Sequence, residues 1–237
     1  MKRTLVVIPG HDLDGSCDLT GGGRPPGAGP PERLREVVFR DTVAFAELLH
    51  QSPGGVAPEL VMAYAGDRSW YEQRTSGHWL LVPRMGTDLA QCLDNLLILL
   101  DARPDDQTIF IGANTPHLQP RALHEAYITL GQRQAVVGPC ESGGLYLLGA
   151  RGRWPCGILA NVRWTTPQAQ QDLLKVFRRA RVGVGLLDEL YRLESGADLW
   201  RLAEDLGIYP DRALGNIRFL LDKTECDRTE NPEGEIA

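Results

Sequence analysis

Apolar and polar positions along this chain fall into two alternating patterns. Short runs rich in β-branched and apolar residues at 4–9, 59–64, 79–83, 108–112, 134–137, 145–148 and 182–187 predict strands. The first, closed by Pro9-Gly10, suits a buried strand of a parallel sheet. Between these runs, residues 32–50 place Leu34, Val37, Val38, Val43, Phe45, Leu48 and Leu49 at helical spacing behind Pro30-Pro31, which favours helix initiation. Further helices are predicted over 88–100, 121–130, 166–179, 197–206 and 211–221. Strands alternating with helices predict a mainly parallel sheet covered on both faces, hence a three-layer α/β/α domain, with no internal repeat. Residues 11–31 hold few apolar residues and the breaker run from Gly21 to Pro31, which predicts a mobile loop, either a lid or an insertion.

Composition narrows the class. A chain of 237 residues, 43% hydrophobic and 24% charged, suits one large α/β domain, here residues 1–222 followed by a polar tail at 223–237. The formal net charge of -6 disfavours nucleic-acid partners, and the short Arg178-Arg179-Ala180-Arg181 run suits the negative end of a helix dipole. Cys17, Cys92, Cys140, Cys156 and Cys226 are scattered without a C-x-x-C spacing, so neither zinc nor a redox pair is indicated and reduced thiols are expected. The apolar stretch 5–8 is too short for a signal peptide, and no run approaches membrane-spanning length. A cytoplasmic protein is therefore expected.

Ligands of open α/β sheets bind beyond the carboxyl ends of the strands, which points first to Gly112-Ala113-Asn114-Thr115-Pro116-His117-Leu118. About two dozen residues later stands Gly138-Pro139-Cys140-Glu141-Ser142-Gly143-Gly144-Leu145-Tyr146-Leu147-Leu148-Gly149. In order and spacing these segments resemble the bacterial glycosyltransferase-A-type selenodomain-associated transferases of the nucleotide-diphospho-sugar transferase-like superfamily. That family carries a G-[AS]-D-[ST]-P-x-L turn, a G-P-A-x-D-G-G-Y-Y-L-[IL]-G strand pair, and downstream W-[ST]-T and D-V-D-T-x-x-D-L segments. Gly86-Thr87-Asp88-Leu89, Arg163-Trp164-Thr165-Thr166 and Glu194-Ser195-Gly196-Ala197-Asp198-Leu199 match other family segments, and Asp41-Thr42 extends the resemblance loosely into the first helix. The resemblance implies transfer of a sugar or related group from a nucleotide donor, with Mg²⁺ or Mn²⁺ assisting departure of the diphosphate. It places a nucleotide or nucleotide-sugar over Asn114, Thr115, Glu141, Ser142, Gly143, Gly144 and Trp164.

The departures from the pattern are chemical. Asn114 and Ser142 stand where the family has aspartates, and an amide is a weaker ligand than a carboxylate for hard divalent cations. Asn114 either touches ribose or sugar hydroxyls or bonds its own turn ahead of Pro116. Glu141 could supply a carboxylate if its loop shifted. The Gly143-Gly144 pair permits a tight turn or close approach of backbone to ligand. After the first strand, His11-Asp12-Leu13-Asp14 replaces the family's Lys- and Arg-bearing loop, the wrong sign for phosphate, and Asp12, Asp14 and Asp18 lack the frame of a calcium loop. Arg192 and Glu194 replace the two aspartates of D-V-D-T, which leaves Glu194 as a candidate base or a surface residue ahead of a helix. His117 is a candidate general acid or ligand. Cys140 and Trp164 read as packing, the latter as a pocket wall. A degenerate metal and phosphate site is expected, so a non-catalytic binding or scaffold protein is the rival to a transferase. A nucleotidyltransferase would require Gly22-Gly23-Arg24 to fold over a triphosphate.

Overall fold

A computed structural model of the chain describes residues 1–9, 32–52, 57–164, 166–193 and 196–205. The elements run β1 (Arg3–Val7), α1 (Glu32–Gln51), β2 (Glu59–Tyr64), α2 (Arg68–Glu72), β3 (Trp79–Pro83), α3 (Leu89–Leu99), β4 (Gln107–Ile111) and α4 (Pro120–Gln132). They continue with β5 (Ala135–Pro139), β6 (Leu145–Arg151), a 3-10 turn (Ile158–Asn161), α5 (Ala169–Arg179), β7 (Val184–Leu186) and α6 (Gly196–Asp205). The loop expected at 11–31, the helix at 211–221 and the tail at 223–237 lie outside the described residues.

The strands form one sheet in the order β3-β2-β1-β4-β6-β5-β7. Every pairing is parallel except the two made by β6, which runs antiparallel to both β4 and β5. The exception follows from the sequence: only residues 140–144 connect β5 to β6, and a connection that short joins antiparallel strands, whereas a parallel pair needs a long crossover.

Period-two alternation sends Leu5, Val7, Leu60, Met62, Ile109 and Ile111 to one face of the sheet. There they meet Phe39, Val43 and Ala46 of α1 and Leu123, Ala126, Tyr127 and Leu130 of α4, each set spaced as one helical stripe. Val6, Ile8, Val61, Ala63 and Phe110 face the other side, against Leu89, Leu93, Leu96 and Leu97 of α3, Leu159 of the 3-10 turn and Leu173 and Phe177 of α5. The result is the three-layer α/β/α arrangement.

Helix boundaries differ from the sequence pattern where a cap intervenes. Asp88 does not begin α3 as a helical residue but caps it, its carboxylate accepting from Gln91 N at 2.8 Å. Residues 166–168 form a turn, with Thr166 Oγ1 accepting from Gln168 N at 3.3 Å, so α5 starts at Ala169. The five-residue α2, too short to show a period, is set by Asp67, whose side chain accepts from Ser69 N. Among the described residues no helix is long and apolar enough to cross a membrane.

Candidate functional site

The carboxyl ends of the parallel strands open on one edge of the sheet, and the residues singled out by their types collect there. β4 ends at Ile111 and passes into the turn carrying Asn114, Thr115 and His117, closed by Leu118 N donating to Thr115 O at 3.0 Å before Pro120 starts α4. Asn114 is 5% exposed. Its Oδ1 has Thr115 Oγ1 at 3.5 Å, a loose contact, and its Nδ2 is buried with no hydrogen-bond partner. The amide therefore does not close its own turn; a buried donor is left unmatched at the strand end.

The β5–β6 turn is built on glycine. Gly143 adopts φ 83°, in the left-handed region, and donates to Cys140 O at 2.8 Å while Cys140 N donates to Gly144 O at 3.0 Å. A Cβ on Gly143 would collide with the carbonyl oxygen of Pro167, so the turn lies hard against the segment that leads into α5. Gln170 N donates to Gly143 O at 3.1 Å and fastens the two.

Beyond β7 the chain runs along the end of β5, where Leu190 N donates to Pro139 O at 3.1 Å and Glu141 N to Leu190 O at 3.0 Å. It then crosses to β4, where Leu193 N donates to Asn114 O at 2.9 Å. Residues 190–193 thus bridge the two turns and bring two side chains, Tyr191 and Arg192, to them. Arg192, 5% exposed, donates from Nη2 to Ser142 Oγ at 3.2 Å. Tyr191 stacks on His117 with ring centroids 3.9 Å apart and an interplanar angle of 14°. Its hydroxyl donates to Asp205 Oδ2 at 2.7 Å, and burial together with that bond holds the phenol above its usual range.

Glu141 is taken by α6. Arg201 Nη1 and Nη2 donate to its two carboxylate oxygens at 2.7 Å each, and that pairing lowers the Glu141 pKa. Asp88 is likewise engaged, as the cap of α3. Among the described residues no group of three or more His, Cys, Asp or Glu side chains is placed to hold a metal ion. Glu194 lies outside the described residues, as do Asp12, Asp14, Asp18 and Arg24.

Two strands along the same edge, a cavity of about 600 Å³ opens over the ends of β2 and β3. Ala65, Arg84, Thr87, Asp88, Cys92, Arg163 and Trp164 line it. Trp164 is 6% exposed and forms a wall, with its indole Nε1 buried and lacking a hydrogen-bond partner. Arg163 reaches Asp172 of α5, Nε to Oδ2 at 2.6 Å and Nη2 to Oδ1 at 3.0 Å, and holds that carboxyl below its ordinary range. The structure therefore brings Asn114, Thr115, Glu141, Ser142, Gly143 and Gly144 together and sets Trp164 in the neighbouring cavity.

Sequence reasoning missed Arg84, Tyr191 and Arg201 and read Arg192 only as a lost acid. Arg84 follows β3 directly, so the strand-end rule applied to every strand would have found it. Arg201 carried no local signal, because its partner lies in a turn at position 141.

The fold has solved counterparts. A protein from Desulfovibrio desulfuricans G20, provisionally described as a nucleotide-diphospho-sugar transferase, superposes with a TM-score of 0.73 at 14% identity, over 94% of this chain and 96% of that one. A cytidylyltransferase from Leptospira borgpetersenii serovar Hardjo-bovis gives 0.55 at 11% identity, over 95% and 96% of the two chains. A CMP:2-keto-3-deoxy-manno-octonic acid synthetase complexed with CTP gives 0.53 at 12% identity, over 87% and 99%. At these identities the likeness shows a nucleotide-diphospho-sugar transferase-like fold. No curated protein matches the chain in sequence. The family model for uncharacterised proteins conserved in bacteria, DUF2064, matches residues 48–166, half of the sequence, and the chain belongs to that family.

Proposed function

We propose that this protein binds a nucleotide or nucleotide-sugar along the carboxyl edge of its sheet and is a glycosyltransferase-like member of the nucleotide-diphospho-sugar transferase superfamily, acting in the cytoplasm, with an altered metal and phosphate site. The observation that carries the reading is the pairing of two features on that edge. The cavity walled by Trp164 and Arg84 is large enough for a nucleoside, and the turn carrying Asn114 follows β4, two strands from β2 on the same edge of the sheet. Neighbouring parallel strands are about 4.8 Å apart, so β2 and β4, which flank β1, stand about 10 Å apart, a separation that a nucleoside diphosphate spans. The narrower resemblance to selenodomain-associated transferases belongs to the same reading, as does the CTP held by one of the solved counterparts.

The residues present do not suit an acid-held Mg²⁺ or Mn²⁺. Asn114 turns a neutral amide to the site with an unmatched N–H, Ser142 is neutral, and Arg192 is a cation. A second reading, a binding or scaffold protein without turnover, is favoured by the engagement of both titratable side chains beside the turns, Glu141 by Arg201 and His117 by Tyr191.

A thermal-shift panel of UDP, GDP, CDP and their sugars, with EDTA and with Mn²⁺, tests the proposal. A ligand at a hundredfold its Kd stabilises the native state by about 2.7 kcal/mol, a rise in Tm of about 5–10 °C for a domain of this size. The nucleotide reading predicts such a rise with at least one base. A flat response across the panel overturns it in favour of a protein-interaction role. Release of nucleoside diphosphate from the stabilising sugar donor then separates a transferase from a binding protein.

A further inference from the structure

We propose that Trp164 reads the base of the ligand: its indole N–H donates to a ring carbonyl, and the cavity over β2 and β3 selects uracil. The assignment rests on the nucleotide reading above and gives it a base and a residue that chooses it.

Trp164 lines the cavity of about 600 Å³, is 6% exposed, and keeps its Nε1 buried without a hydrogen-bond partner among the described residues. An indole nitrogen can only donate, so nothing but an acceptor satisfies it. An unmatched buried N–H costs free energy, and each one needs an explanation. Trp154 shows what the explanation requires. Its Nε1 is likewise buried and unpartnered among the described residues, but its ring packs in the core against Phe177 and does not line the cavity. An orphaned donor alone therefore marks no site. The same donor on the wall of a cavity stands where an acceptor can arrive.

The other polar side chains of the wall decide what that acceptor belongs to. Arg84 and Arg163 can only donate, and Arg163 gives just two of its five N–H groups to Asp172. The acceptors are engaged inside the protein. Asp88 Oδ1 takes Gln91 N at 2.8 Å and its Oδ2 faces Gln91 Nε2 at 3.4 Å. Thr166 Oγ1 takes Gln168 N at 3.3 Å while donating to Arg163 O at 2.9 Å. Thr87 adds a hydroxyl that serves either way.

A wall so rich in donors suits carbonyl oxygens. Uracil carries two of them, no exocyclic amine and a single ring N–H, which one hydroxyl can accept. Cytosine, guanine and adenine each carry an amine with two N–H groups, which would turn donors toward donors. A polar site discriminates most strongly against a ligand that leaves such groups unpaired.

Nuclear magnetic resonance of the indole N–H groups tests the donor directly on the full, unsubstituted chain, where Trp164 contributes one of five such signals. Uridine is expected to shift the Trp164 signal downfield, as a new hydrogen bond does, and to leave that of Trp154 in place. Trp164→Phe keeps an aromatic wall without the N–H and is expected to weaken uridine about tenfold, whereas Trp154→Phe leaves its affinity unchanged. Uridine is expected to bind about tenfold or more tighter than cytidine or adenosine, a preference that Trp164→Phe narrows. A Trp164 signal that stays still as uridine binds, or equal affinity in Trp164→Phe, overturns the donor role and leaves the nucleotide reading standing. Cytidine bound as tightly as uridine overturns the choice of base. Free uracil completes the panel: its binding through Trp164 with no affinity for any nucleoside supports the donor and tells against a nucleotide, and silence across the whole panel overturns both.

Discussion

Arg201 grips Glu141 with both terminal nitrogens at 2.7 Å while its guanidinium lies 4.0 Å from the centroid of the Tyr191 ring. His117 stacks 3.9 Å from the same centroid, and two groups so close must cover opposite faces of the ring. A histidine of the β4 turn, a tyrosine of the bridging segment and an arginine of α6 thus form one column, tied at its end to the β5–β6 turn. The ion pair is half open to solvent, 46% exposed on each side, so its own contribution is about 1 kcal/mol or less, and the cation–π contact adds a similar amount. Arg201→Ala is expected to loosen α6 locally and leave the sheet intact, seen as faster hydrogen exchange confined to residues 196–205. The Glu141 carboxyl is held below the ordinary range, chiefly by its hydrogen bond from Arg201. Its stabilisation is therefore present above the ordinary carboxylate pKa and is lost as pH falls through the lowered one. Glu141→Gln should remove that acid-side increment, so that the protection factors of the α6 amides, which correct for the slowing of intrinsic exchange in acid, no longer fall as pH is lowered from 5 toward 3. Unchanged exchange in Arg201→Ala would show that the column does not hold the helix.

The fold was largely legible because burial on both faces writes itself into short apolar runs: residues 59–64 and 79–83 read as strands and are β2 and β3. What the pattern could not show were elements defined by a cap, such as α2 behind Asp67, and the reversal of β6, which depends on the length of a connection more than on any residue in it. The site was legible only as positions. Asn114 and Ser142 announced missing acids, but whether charge had been lost or inverted depended on which side chains the bridging segment brought between the turns. That segment is bonded to residues some 50 to 80 positions earlier in the chain, to Pro139 and to Asn114, and no local periodicity encodes such a contact. Glu141 was open as a metal ligand by sequence because its competitor, Arg201, is 60 positions away.

Gly143 is the most constrained residue of the β5–β6 turn. Its φ of 83° is disfavoured for any side chain, and a Cβ would strike the Pro167 carbonyl, a backbone atom that cannot swing aside. Gly143→Ala should destabilise by at least about 2 kcal/mol, lowering Tm by about 4–8 °C. Calorimetry against Gly77→Ala, where an added Cβ meets nothing within 4 Å, supplies the control. Equal losses in the two variants would mean that the turn can relax away from α5.

Asn114→Ala should behave unlike an ordinary truncation in a core. Removing a buried, hydrogen-bonded side chain leaves a cavity and an orphaned partner, whereas here the substitution also removes an unmatched N–H whose burial costs about 1–3 kcal/mol. The two effects oppose each other, and the unliganded protein should keep its stability within about 1 kcal/mol of the parent by urea denaturation. A loss of several kcal/mol would show that the amide serves the fold and not a ligand.

The cavity over β2 and β3 can be probed through Cys92, which lines it and is 6% exposed. Burial pushes its thiol up to about 11, with nearby Arg84 opposing the rise only in part. Only the thiolate reacts with alkylating agents, so at pH 8 about one molecule in a thousand presents Cys92 in reactive form. Cys156 is exposed and should label ahead of Cys92. Iodoacetamide treatment with peptide mapping should therefore show Cys156 modified rapidly and Cys92 spared at pH 8, with Cys92 gaining reactivity as pH rises toward 10 while the fold persists. A nucleotide occupying the cavity would slow that high-pH reaction by covering the sulfur and would leave Cys156 unaffected, because Cys156 does not line the cavity. If Cys92 labelled as fast as Cys156 at pH 8, the wall formed by Trp164 and α3 would have to open in solution. The cavity would then be a gap between moving elements, too poorly defined to select a base.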